Sequence, residues 1–134
     1  MIKLWFKAQL KVLKMAWALK VYPLPVIVLP KAMMKGMQGG CVPFACICIR
    51  EDTRISYLDK VVRHEMRHHW QTIYCYKHCQ WWRKHMDIYR RYAKKSPVNW
   101  PERDAGQYGE GRDVTIYRRQ SVHKLERWYQ RGLI

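Results

Sequence analysis

The chain has 134 residues, enough for one domain around a modest core but not for two. Its apolar share, with seven Trp and nine Tyr, excludes a disordered tail. The 26 Lys+Arg against 10 Asp+Glu give a formal charge of +16, with no acidic residue before Glu51. That field attracts nucleic acid, anionic lipid or an acidic protein partner without choosing among them. Five cysteines do not pair into a complete disulfide framework, and no secretory signal is read, so a reduced, cytoplasmic setting is expected (virion-associated if the chain is viral).

In the opening stretch MIKLWFKAQLKVLKMAWALK, lysines at 3, 7, 11, 14 and 20 leave no apolar run long enough for a membrane span. Lys3, Lys7, Lys11 and Lys14 recur at helical spacing, with Leu4, Leu10, Leu13 and Trp17 on other faces. Residues 2–20 are therefore predicted to form an amphipathic helix within a basic segment 1–22. Its apolar side is expected to cover the core; the alternative is a basic helix lying on a membrane or an anionic partner.

Pro23, Pro25 and Pro30 bracket VIVL, a short strand expected near a sheet edge. KGMQGG reads as a flexible turn. FACICIR reads as a second strand, with Cys46 and Cys48 on one side and Ala45, Ile47 and Ile49 on the other. Ser56 is a plausible N-cap for a helix running from about Tyr57 into the seventies. On that helix Leu58, Val62, Met66, Trp70 and Ile73 form an apolar stripe. Tyr57, Val61, His64, His68 and Cys75 line a different face, and Arg63 and Arg67 are expected to point to solvent. His69 falls on the stripe side and is expected to be a packed histidine. WWRKHMDIYRRYAKK reads as a further helix ended by Ser96-Pro97. NWPERDAGQYGEG offers Asn99 as a cap and a short helix that Gly106, Gly109 and Gly111 would cut off. A last helical pattern runs from Asp113 to about Arg131.

His64-Glu65-Met66-Arg67-His68 is H-E-x-x-H. Two imidazoles one helical turn apart can reach a single Zn²⁺ at about 2.0–2.1 Å. Such an ion lowers the pKa of a bound water to about 7, and Glu65 stands ready as the general base. A hydrolytic zinc site takes three protein ligands, so the third must come from elsewhere. Glu102 is the first choice because it opens a predicted helix and lies far enough downstream to fold back over the motif. Asp87 is the runner-up: its 18-residue gap from His68 resembles the third-ligand spacing of gluzincin peptidases, but Arg83, Arg90 and Arg91 are helical neighbours that could pair with it. His85 and Asp104 remain open as ligands, Asp104 more readily as a hydrogen-bond partner of a ligand histidine. Cys75-x-x-x-Cys79 with His78 lacks a full ligand set and reads as ordinary thiols.

VVRHEMRHHWQ, with Gln71 three residues after the second His, an aromatic-rich helix ending near Tyr92, and then NWPERDA, resembles the small zincin-like metallopeptidases of bacteria and their phages over about residues 40–106. The resemblance implies His64, His68 and Glu102 as ligands and Glu65 as catalytic base. It also implies that the strand around Phe44–Ile49 pairs with an extended substrate. Asp104, where Glu is common, and the strong positive charge depart from the family pattern.

The expectation is a single α+β, mostly helical zincin-like domain over 1–134. It would hydrolyse a peptide bond with Zn²⁺ and Glu65, with Tyr92 or Tyr108 assisting the oxyanion. The competing reading is a basic nucleic-acid-binding or structural assembly protein in which the motif is structural or inactive.

Overall fold

A computed structural model describes residues 2–78 and 100–111. The first helix, α1 (Ile2–Leu19), forms because Leu4, Ala8, Val12, Met15, Ala16 and Leu19 recur every three or four positions and are all buried. It ends as a Schellman motif: Val21 N–H donates to Ala16 C=O, Lys20 N–H to Trp17 C=O, and Lys20 takes the left-handed conformation at φ 55°. The side chains of α1 also hold the next segment. Gln9 Nε2 donates to the Leu24 carbonyl (3.2 Å), its Oε1 accepts from Val26 N–H (2.9 Å), and Trp5 Nε1 donates to the Val26 carbonyl (2.9 Å).

That segment is β1 (Val26–Leu29), followed by a 3-10 turn, Lys31–Met33. β2 (Gly39–Val42) and β3 (Cys46–Arg50) form a hairpin with Phe44 in its turn at φ 62°. The sheet order is β1-β3-β2, with β1 parallel and β2 antiparallel to β3. The register places Val26, Cys41 and Ile47 side by side on the face turned to the helices, where Val26 and Ile47 enter the core. Cys46 and Cys48 share the other side, their sulfurs 3.8 Å apart.

Two expectations change here. The GG of the predicted turn KGMQGG begins a strand, β2, despite the low strand propensity of glycine. The reason is local: a Cβ on Gly39 would lie 2.5 Å from Val61 Cγ1 and 3.1 Å from Glu65 Cγ, so only glycine lets the strand run this close to the next helix. As a result β3, expected to receive a substrate strand, is the central strand with both edges occupied.

The long helix α2 (Ile55–His78) starts two residues before Tyr57, so Ser56 lies inside its first turn and Asp59 pairs with Lys11 of α1 at 3.1 Å. Leu58, Val62, Met66 and Trp70 are buried as expected, and Ile73 is half-buried. α3 (Trp100–Gly109) packs across α2, and its chain leaves through Gly111 at φ 86°. A Cβ on Gly109 would stand 3.2 Å from the Lys60 carbonyl and 3.5 Å from His64 Cβ, so this glycine permits the close crossing.

Arg63 and Arg67 do not face solvent. Arg67 is fully buried, its guanidinium 4.2 Å from the Trp70 ring and 5.0 Å from the Tyr108 ring. Arg63 donates through Nε to the Tyr108 carbonyl (2.8 Å) and lies 4.4 Å from the same ring. The face of α2 opposite the sheet is a second interface, where the arginines contact α3 alongside its buried Ala105 and Tyr108. Among the described residues, no helix is long and apolar enough to cross a membrane.

Candidate metal centre

The i, i+4 spacing of His64 and His68 on α2 sets both rings on one flank, 4.8 Å apart between centroids and at 75° to each other. Their Nε2 atoms meet at 3.1 Å. α3 brings Glu102, in its first turn, over the pair. One carboxylate oxygen lies 3.0 Å from His68 Nε2 and the other 3.3 Å from His64 Nε2. One ligand atom from each of the three residues falls within 4.8 Å of the other two, a group able to hold a metal ion. In a tetrahedral shell at about 2.0–2.1 Å, neighbouring ligand atoms are about 3.3 Å apart. The two Nε2 atoms stand close to one edge of such a tetrahedron, and each faces its own Glu102 oxygen at a similar distance. Glu102 keeps about half of its side chain exposed.

Gln71, one turn beyond His68, completes the arrangement. It is buried, and its Oε1 lies 2.9 Å from His68 Nδ1. With Nδ1 donating to this amide oxygen, the ring is held with Nε2 turned to the centre. The sequence reading noted Gln71 only as part of a family pattern; its i+3 position after His68 was the available signal.

Glu65 is buried between α2 and β2, its Oε1 3.2 Å from where a Gly39 Cβ would be. Burial raises its pKa above the usual carboxylate range, partly opposed by the neighbouring His68 and His64. Hydrogen bonds to His64 and His68 hold the Glu102 carboxyl well below that range, against the cost of its own partial burial. At His68, burial disfavours the charged ring, but Glu102, Glu65 and Gln71 outweigh it and raise the pKa. Burial pushes the nearby Cys41 thiol up to about 12 and Cys48 up to about 11, helped by the Glu65 charge, so both are protonated thiols at neutral pH.

His69 is fully buried, with Nε2 on the Tyr22 carbonyl (3.0 Å) and its ring edge-on to Tyr22. It is the packed histidine expected, and burial lowers its pKa. Tyr108, expected beside the reacting carbonyl, is instead a core residue: it is buried, with its hydroxyl toward Met15 Sδ (3.8 Å) and its ring engaged by both arginines. Asp87, His85, Tyr92 and Cys79 lie outside the described residues, as do the side chains of Asp104 and Cys75.

Compared with known protein families, curated proteins and solved structures, the chain matched none.

Proposed function

We propose that the protein is a zinc-dependent peptidase of the zincin type, with His64, His68 and Glu102 as ligands and Glu65 as general base. The observation that carries this reading is the convergence of two Nε2 atoms and both Glu102 oxygens beside a separate, buried carboxylate. A structural cation site needs only the ligand set; the additional base, with its raised pKa, is what hydrolysis requires. Two imidazoles and one carboxylate suit zinc. When bound, zinc supplies a water of lowered pKa and polarises the carbonyl under attack.

The chain's own residues do the rest. Gln71 fixes the His68 ring with Nε2 toward the centre. Glu65 takes the proton of the attacking water and returns it to the leaving nitrogen. Its burial makes it a stronger base than a solvated glutamate.

The substrate is read as an extended peptide lying along β2, the outer strand beside Glu65 among the described residues, rather than along the central β3. Arg50 N–H bonds to Gln38 C=O, and an antiparallel ladder alternates, so the backbone groups of Gly39 and Cys41 face outward and are available for strand addition.

The test is metal content and hydrolysis measured together. Reloaded protein should hold one zinc per chain, lost in His68→Ala and Glu102→Ala. Glu65→Gln should keep the zinc and lose cleavage of a mixed peptide library. Hydrolysis that survives Glu65→Gln, or that is equal after chelation, overturns the reading.

A further inference from the structure

We propose that the outer face of α1 seats the protein on an anionic lipid surface. This helix is apolar on two faces. One carries Leu4, Ala8, Val12, Met15, Ala16 and Leu19 into the core. On the other, Ile2, Phe6, Leu10, Leu13 and Trp17 again recur every three or four residues, and all five are exposed, Ile2 at 83% and Trp17 at 89%. A helix that only covers a core is polar on its outer side. A contiguous apolar stripe turned outward instead marks an interaction surface.

The charge around the stripe identifies the occupant. At 100° per residue, Lys3, Lys7 and Lys14 line one flank of it, whereas Lys11 is turned away to Asp59. No acid occurs in the first 50 residues to repel an anionic surface. Nucleic acid would satisfy the lysines and leave Ile2, Phe6, Leu10 and Leu13 in water; a bilayer interface satisfies both. From residue 2 to residue 17 the stripe is about 22 Å long, too short to span a bilayer. Flanked by lysines, it fits a helix lying in the interface plane, with Phe6 and Trp17 among the acyl chains and the lysines among the headgroups.

Flotation of the full chain with vesicles of equimolar phosphatidylcholine and phosphatidylglycerol tests this against phosphatidylcholine alone and against a DNA duplex. Binding is expected to the anionic vesicles only. The double variant Phe6→Ser/Trp17→Ser and the triple variant Lys3→Gln/Lys7→Gln/Lys14→Gln should each bind about ten-fold more weakly or worse. All five side chains are exposed, so the helical circular dichroism and the melting midpoint should be unchanged. Absence of binding to anionic vesicles overturns the proposal. So does vesicle binding indifferent to Phe6→Ser/Trp17→Ser, or duplex binding that falls in the lysine variant while vesicles are ignored. Self-association lost in the Phe6→Ser/Trp17→Ser variant, without vesicle binding, also overturns it.

Discussion

Gln71 Oε1 lies 2.9 Å from His68 Nδ1, and that contact decides which nitrogen of the ring meets His64. Without it, the ring could rotate and turn Nε2 away from the centre. Gln71→Leu removes the acceptor in a buried setting of similar shape. Metal affinity, measured by competition with a chromogenic chelator, should fall about 10–100-fold while the helix content holds. An unchanged affinity would show that the contact does not orient the ligand.

The same cluster gives the metal-free protein a defined pH dependence. His68 and Glu65 have pKa values raised above their ordinary 6.5 and 4.5. Each therefore contributes stability that is complete below the ordinary value and is lost as pH rises through the raised one. Glu102 is lowered, so its contribution is present above 4.5 and is lost as pH falls through the depressed value. Melting midpoints in chelator should decline as pH rises from about 5 through and above neutrality. Protons and metal compete for the imidazoles, so the rise in midpoint on adding zinc should grow over the same interval. A zinc-induced shift that does not vary with pH would contradict this account.

Gly39→Ala should destabilise the fold by about 1–3 kcal/mol, because the new methyl meets Val61 Cγ1 at 2.5 Å between a strand and a helix that cannot easily separate. Urea denaturation would measure it. The clash also bears on Glu65, so activity should fall further than the folded fraction alone predicts.

Arg67→Ala should cost about 2–4 kcal/mol, from lost packing and lost cation–π contact with Trp70 and Tyr108. Arg67→Lys should recover only part of this, since an ammonium cannot stack flat between two rings. If α3 is held mainly by these arginines, Arg67→Ala should also weaken metal binding, because α3 carries Glu102.

How much of this was legible in advance follows from the range of the forces involved. Helical spacing is local, so the buried face of α2, the two histidines on one flank and the packed His69 could be read from the order of residues. On α1, by contrast, the expected Leu4 is buried but Leu10, Leu13 and Trp17 are exposed, because two apolar faces compete for the core and only packing chooses between them. Glu102 was reached only as the first of several carboxylates: the sequence shows that a ligand can fold back, not which one does. Packing of α3 on α2 selects it, and that packing depends on Gly109 and on two arginines whose charge had placed them in solvent. β2 was missed because glycine disfavours strands on average, whereas here the missing Cβ is what lets the strand lie against Glu65. Local periodicity fixed what each helix could present; which groups meet was decided by long-range contacts between surfaces whose fit no short stretch encodes.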